Sequence, residues 1–423
     1  MKIKYLIFII IILLNCANHE TAQTVLNFAY PTPGDRYFKL MSEVIDEFET
    51  LHPGVEIRQN VMHGDIYQDF GLLTLFQSGQ APDLYGQWGG WLVRRDAKFG
   101  FAADITEALD SLSYNGQPWR ERFMPAAWSG MTYEGRNFAV ATSVSVTNAI
   151  WYNKDMFDKF NLREPRNWEE FMHICRTLKS NGIVPISQGN KGVWPMGNWV
   201  AHVVSRVSGE AAFNDVMTLE DGTCFANPDF IRAFGLFEEM AQQEFFNPGM
   251  SGRSDLEGMM YFLNGHSAMH PIGSWLINRA IDEAARLNYD AFNTPRIPDS
   301  KGDSTSIIGV TFGYLVGKNT QHFDLAVEFL EYLTRPEIQK RFVDIGSLCS
   351  VKEAIDALNV EPHIRRMTRM VQQANVIVPP PDTGFKLDVS DAFNDAVALV
   401  VGGEMDAARA LEQADRVVRR LRQ

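Results

Sequence analysis

No C-x-x-C pair occurs in this chain, and its four cysteines make no spaced framework: Cys16 closes an N-terminal apolar segment, and Cys175, Cys224 and Cys349 are widely separated. A cysteine metal cluster and a disulfide scaffold are thereby excluded, and buried free thiols are expected. Positive charge is scarce too. Lys and Arg number 39 against 52 Asp and Glu, a formal charge of −13, and the one basic run, Arg416 to Arg422, reads as the solvated face of a terminal helix. Nucleic acid, whose phosphates require a basic surface, is not an expected partner. Past the N-terminus no apolar run approaches the roughly eighteen residues of a membrane helix. Catalytic signatures are missing as well: there is no Gly-x-Ser-x-Gly elbow, phosphate-binding Gly-rich loop, His-Glu-x-x-His or dinucleotide fingerprint. His63, His266 and His270 lack metal spacing, although His266 and His270 could share a site, so neither a metal nor any other cofactor is expected.

What is present is a long, soluble, aromatic-rich chain. At 423 residues it exceeds one compact core, so two lobes are expected. Hydrophobic content of 45% with 22% charge describes a globular protein, and nine Trp, twelve Tyr and 28 Phe leave rings to spare for a binding surface. Lys2 and Lys4 precede the apolar run Tyr5 to Leu14, whose ten residues suit a signal-peptide core and are too few to span a bilayer. Residues 1–22 are read as a signal peptide; a cut before Cys16 takes two cations, Lys2 and Lys4, and leaves −15. Cys16 directly after the run resembles a lipoprotein processing site, though Asn15 departs from the small residue usual before it; the alternative is plain cleavage near Ala22. The expected location is extracytoplasmic, with membrane contact through a lipid on Cys16.

Along the chain, Val25 to Tyr30 reads as a strand. Leu40, Met41, Val44, Ile45, Phe48 and Leu51 then recur at helical spacing until Pro53-Gly54, and Val55 to Val61 alternates as a second strand. This is a strand-helix-strand unit of parallel type, the start of an open α/β sheet whose ligands sit at the carboxyl ends of its strands. A helix near Tyr67 to Ser78 and a third strand after Pro82 follow. The three ends carry Tyr30 to Arg36, His63 to Tyr67, and Tyr85 to Trp91. Beyond a hairpin about Glu134-Gly135-Arg136 and a lobe crossing near Ala141 to Ser145, a second α/β unit begins with the strand Ala149 to Asn153. Asn167 caps a helix, with Glu170 in the reciprocal position, and Asn227-Pro228 opens another. A strand pair is expected around Gly309 and Gly313, two short helices joined at Arg335-Pro336, and a helical C-terminus broken at Gly402-Gly403.

One stretch organises the rest. In Phe262 to Asn278 an apolar helix ends at Asn264-Gly265, Ser267 to His270 is extended, and Pro271-Ile272-Gly273-Ser274 turns into a helix with Trp275 in its first turn. A Gly-Ser turn opening a helix is expected to aim unpaired N–H groups outward, beside the indole plane of Trp275. The competing reading is that Trp275 packs in a core.

Four stretches, Ser78-Gly79-Gln80-Ala81-Pro82-Asp83-Leu84-Tyr85, Phe262 to Trp275, Ala326 to Gly346 and the Leu399 to Leu421 tail, together resemble the extracytoplasmic solute-binding proteins of family 1. These are the maltose and multiple-sugar type that serve ABC importers. The resemblance covers nearly the whole mature chain. It implies an α/β fold of the two-lobed periplasmic-binding-protein type II (venus flytrap) kind with hinge crossings. On that mapping lobe one is 24–141 plus 309–349 and lobe two is 142–308 plus 350–423. It also implies a monomer that is not an enzyme, binds a mono- or oligosaccharide between its lobes, and delivers it to the transmembrane subunits of a permease.

A sugar offers apolar C–H faces ringed by hydroxyls, which call for flat aromatics and neutral or acidic hydrogen-bond partners. Trp275 is the stacking candidate, with Gly273 and Ser274 beside it and Trp88 and Trp194 as second planes. Asp35, Arg36, Asp65, Asp83 and Gln87 are polar candidates because they fall on strand-end loops; Asp83 has a competing role in bonding its own turn after Pro82. Trp88 and Trp91 bracket Gly89-Gly90, and Trp194 stands in a loop before a helix; packing is the alternative for each. Gly309 and Phe312 match the family's glycine-containing return to lobe one. Trp119, Trp128, Trp151, Trp168 and Trp199 are assigned to the core. Two rival functions remain: a secreted glycoside hydrolase, which would also set carboxylates in an aromatic cleft, and a binding component that signals to a membrane sensor.

Overall fold

The computed structural model describes residues 24–421 apart from 112, 115, 129, 285 and 355–360, so Cys16 and the leader lie outside the described residues. The alternation that starts the chain forms β1 (Thr24–Thr32), and the helical periodicity that follows forms α1 (Asp35–Leu51). Leu40, Met41, Val44, Ile45 and Phe48 are the buried stripe of α1, which packs on the sheet. The chain returns as β2 (Val55–His63), parallel to β1 and in register from Thr24 opposite Val55 to Thr32 opposite His63. The predicted helix near Tyr67 to Ser78 starts earlier, at Gly64, and passes through a π-helical turn at Tyr67–Gly71 before α2 (Leu72–Gln77). Next come β3 (Leu84–Trp88), parallel to β1, α3 (Trp91–Lys98) and β4 (Ala139–Val146).

The second unit opens with β5 (Ala149–Asn153), α4 (Trp168–Ser180), β6 (Val184–Ile186), α5 (Trp194–Ser208) and α6 (Pro228–Gln242). It continues through α7 (Asp255–Leu263), β7 (Ser267–Ile272), α8 (Leu276–Glu283) and β8 (Tyr289–Phe292). The chain then crosses back as β9 (Ile307–Val316), followed by α9 (Phe323–Leu333), α10 (Pro336–Asp344), α11 (Pro362–Gln373), β10 (Ile377–Val378), α12 (Leu387–Val401) and α13 (Ala407–Arg419).

Two sheets result. One runs β10-β9-β3-β1-β2 with β4 on the other edge of β9; the second runs β6-β7-β5-β8. Two apolar cores form, one around Phe28, Phe48 and Phe329 that also takes in Trp151, Ile272 and Ala291 of the second sheet, the other around Trp199, Phe237 and Phe393. The chain passes between the sheets after β4 and again before β9, and Thr147 N–H donates to the Ile308 carbonyl at 2.9 Å where those passages meet.

Three local expectations are corrected. Gly309 and Gly313 do not bound a strand pair: β9 is one strand of ten residues, and both glycines sit inside it where β4 approaches closely. The Asn167 side chain does accept the Glu170 N–H, but Glu170 closes onto Arg166 N–H rather than back onto Asn167. Finally, α8 starts at Leu276, one residue later than expected, with Trp275 at its N-cap.

Candidate functional site

Between the two sheets lies a cavity of about 260 Å³. Its first wall is built where the parallel strands β1, β2 and β3 end, by Thr32, His63 and Trp88, the placement that an open α/β sheet gives its ligands. Its second wall comes from the other unit: Trp194 at the start of α5, Asp255 and Met259 one turn apart on α7, and Ser274, Trp275 and Arg279 around the start of α8.

Strand parity decides which neighbours enter. Successive side chains on a strand point to opposite faces, so with Trp88 turned into the cleft, Gln87 must turn away. It is buried, donating to Asp96 at 2.9 Å and accepting from the Trp88 N–H at 3.1 Å, a support behind the wall rather than part of it. On β9 the same rule brings Val310, Phe312 and Tyr314 to the cleft and sends Gly309 the other way, against Ser145 and Ile377. Trp88 and Phe312 meet edge to face at 5.4 Å. Opposite them, Trp194 and Trp275 form a tilted pair at 5.7 Å. Both indoles are half-buried, so the core-packing alternative for Trp275 describes only one side of the ring. The ring folds back over Gly273, where an added Cβ would fall 1.9 to 2.4 Å from three of its carbons. Gly273 is thus what lets the indole lie flat.

Polar groups fill the space between the rings. The register of β4 slips opposite Phe312, so that Thr142 is an extra residue, a bulge that lets both Thr142 and Ser143 border the cavity. Ser145 and Thr147 continue this row of hydroxyls. Thr147 Oγ1, Asn198 Oδ1, Asp255 Oδ1, Asn278 Oδ1 and Thr383 Oγ1 are buried in residues of the wall without a hydrogen-bond partner among the described residues. A buried polar atom left alone costs about 1–3 kcal/mol, and five of them in residues of one wall mark that wall as polar rather than a filled apolar core. The backbone of the Gly-Ser turn behaves differently from expectation. Ser274 N–H donates to Val146 at 2.8 Å, Leu276 N–H to Gly273 and Ile277 N–H to Ser274, so these amides are not free for a ligand.

The remaining candidates lie elsewhere. Asp83 is at the entering end of β3, opposite to the cleft, because it precedes the strand rather than following it. Its carboxylate accepts from Asn27 N–H at 2.8 Å and from Thr320 Oγ1 at 2.6 Å, tying β1 to the segment after β9 instead of bonding its own turn. Asp35 and Arg36 are exposed on the first turn of α1, outside the cavity wall. The side chain of Asp65 lies outside the described set. Contributions from Asp255, from Gln339 to Cys349, and from Pro380 to Thr383 were missed: these segments are far apart in sequence, and no local pattern marks them. The hydroxyl row on β4 did leave a signal, in the alternating small residues read as a lobe crossing.

Among the described residues no group of three or more His, Cys, Asp or Glu is placed to hold a metal ion. His266 is exposed, whereas His270 is buried in β7 against Ser187, so the two do not share a site. Burial pushes His270 down to about 4. Cys175 and Cys349 are buried free thiols, but Cys224 is exposed. Trp119, Trp151, Trp168 and Trp199 are core; Trp128 is only half-buried, packed against Phe123 and under Arg120.

The family model for the bacterial extracellular solute-binding proteins matches residues 33–340. An uncharacterized ABC transporter extracellular-binding protein of Pyrococcus horikoshii is 24% identical over 171 residues, 40% of this chain and 38% of that protein's length. The multiple sugar-binding protein of Streptococcus mutans is 21% identical over 323 residues, 74% of this chain and 72% of that one. A solved structure connected with xylan utilization by Caldanaerobius polysaccharolyticus superposes with a TM-score of 0.84 at 23% identity, covering 93% of this chain and 99% of the other. At that identity the likeness is one of fold.

Proposed function

The chain belongs to the bacterial extracellular solute-binding proteins, a binding family rather than an enzyme family, and from that premise we propose that its solute is a carbohydrate held in the cleft between the two sheets. The observation that carries this reading is the cavity wall itself. Trp88 with Phe312 on one side and Trp194 with Trp275 on the other provide apolar planes, and hydroxyls and partnerless buried polar atoms stand between them. That combination matches a ligand with flat C–H faces and a rim of hydroxyls. Stacking on Trp275 and Trp194, hydrogen bonds to Ser274 and to the β4 hydroxyls, and closure of the Trp88 and Phe312 wall over the sugar are the roles assigned here.

The two sheets mark the two halves of the clamp, assigned as 24–141 plus 309–349 and 142–308 plus 350–423, with the ends of β4 and β9 and the short β10 reaching across from the second range into the first sheet. Their relative movement about the crossings at Val146–Thr147 and Ser306–Ile308 is what a membrane permease would read. The relatives named for ABC transport and for multiple sugars support that partner and that ligand class. Cys16 is assigned as a lipid attachment point. A sugar that is only bound stabilises the native state by mass action and is recovered unchanged. A thermal-shift screen of the mature chain over xylo-, gluco- and galacto-oligosaccharides should therefore raise the melting temperature for at least one of them, with no new reducing ends. Stabilisation by oligopeptides or polyamines alone would overturn the carbohydrate reading.

A further inference from the structure

Three charged side chains border the cavity among the described residues: Asp255, Asp382 and Arg279. His63 is there too, exposed at the mouth. Arg279 is already committed, since its Nη1 donates to Glu283 at 3.0 Å one helical turn away. Asp255 is in the opposite condition: its Oδ1 is buried with no donor among the described residues. The site thus carries the unmet carboxylate oxygen of Asp255 and one cation, Arg279, whose charge is balanced by a carboxylate of its own.

The backbone that could welcome an anion is spent. An anion would need free N–H groups at the start of α8, but the Ser274, Leu276 and Ile277 amides are engaged within the protein. The partnerless buried atoms of Asp255, Asn198 and Asn278 are oxygens, acceptors as placed, while Thr147 and Thr383 bring hydroxyls. Thr147, Asn198 and Thr383 are each at least nine-tenths buried in the cavity wall, in surroundings of low dielectric. Charge acts strongly in such surroundings even without contact, and the formal charge of −13 on the whole chain repels anions at longer range.

We propose that this cleft discriminates by charge, taking uncharged hydroxyl-rich sugars and rejecting those that bear a carboxylate or a phosphate, and that Asp255 is the residue that sets the discrimination. The inference rests on the carbohydrate reading above and narrows it. The hydroxyls of a neutral sugar donate to the acceptors of the wall. A uronate or a sugar phosphate brings acceptors and a like charge to the same wall and finds no free cation.

The test uses the mature full-length chain and matched disaccharides: cellobiose with cellobiouronic acid, and xylobiose with the aldobiouronic acid formed by glucuronic acid and xylose. Affinities are measured by isothermal titration at two salt concentrations. The expected result is binding of at least one neutral member, with its acidic counterpart weaker by at least tenfold and the gap smaller at high salt. Asp255→Asn should close most of that gap by improving acid binding, and the wild-type comparison stands even if that variant folds poorly. Equal or tighter binding of the acid overturns the charge selection and leaves the carbohydrate reading intact. An unaltered ratio in a folded Asp255→Asn protein overturns the role of Asp255. Absence of binding by all four, while a peptide or polyamine binds, overturns both readings.

Discussion

Substituting Gly273 by alanine adds one methyl group at a place where the three nearest atoms all belong to the Trp275 indole. The new Cβ would lie 1.9, 2.2 and 2.4 Å from Cζ3, Cη2 and Cε3. Carbon atoms settle at about 3.5–4.0 Å, so the ring edge has to move by well over an ångström. The backbone at Gly273 is not in the left-handed region, so the methyl group adds crowding without φ strain. Crowding of this kind costs about 1–3 kcal/mol in a filled core. Trp275 is half-buried and borders the cavity, so it can swing into open space, which places the stability cost near 1 kcal/mol. Binding loses a flat face: a displaced indole gives up stacking worth about 1 kcal/mol or more, roughly a tenfold rise in dissociation constant for the best neutral oligosaccharide. The assay is a double-mutant cycle by titration calorimetry with melting temperatures alongside. Trp275→Ala alone should weaken binding at least as much, and adding Gly273→Ala to it should cost little more, because the atoms in collision are gone. Additive losses, or a Gly273→Ala protein with unaltered affinity, would refute the argument that Gly273 serves the sugar through the indole.

Asp83→Ala separates structure from binding. It removes charge-assisted hydrogen bonds to Asn27 and Thr320, each worth about 1.5–3 kcal/mol at full strength and less where, as at Asn27, the bond is exposed to water, so urea denaturation should register a loss of about 2–3 kcal/mol while sugar affinity stays within twofold; a selective loss of affinity would return Asp83 to the site. Mild acid is a second test. Burial pushes His270 down to about 4, and burial, with Arg206 beside it, holds His202 well below the usual histidine range. Below about pH 6.5 the unfolded chain takes up protons that these folded imidazoles refuse, so the stability they support is full above that pH and falls as the pH drops toward 4. Between pH 7 and pH 5 His270 alone should remove about 2 kcal/mol, and His270→Gln should lessen that fall by the same amount; parallel curves for the two proteins would contradict it.

The parts of the molecule legible in sequence are those fixed locally. Pro53-Gly54 and the periodicity of Leu40 to Phe48 mark a helix between two parallel strands, and such a unit puts Thr32, His63 and Trp88 at one edge. Ala149 to Asn153 is a strand with the expected bounds. What escaped depends on direction and on distance along the chain. Asp83 immediately precedes the short strand that ends at Trp88, and only the leaving end of that strand reaches the cleft. Gln87 and Trp88 are neighbours in sequence and face opposite ways because of the pleat. Asp255, Cys349 and Thr383 arrive from three remote segments whose meeting is a tertiary fact with no periodic trace.

The most direct measurement is a crystal structure of the chain with a neutral oligosaccharide chosen by the thermal-shift screen. The account predicts density for an intact sugar lying between the Trp194 and Trp275 pair and the Trp88 and Phe312 pair, with its hydroxyls on the atoms now lacking partners. Sugar found outside that cleft, or recovered with its glycosidic bond cut, would contradict it.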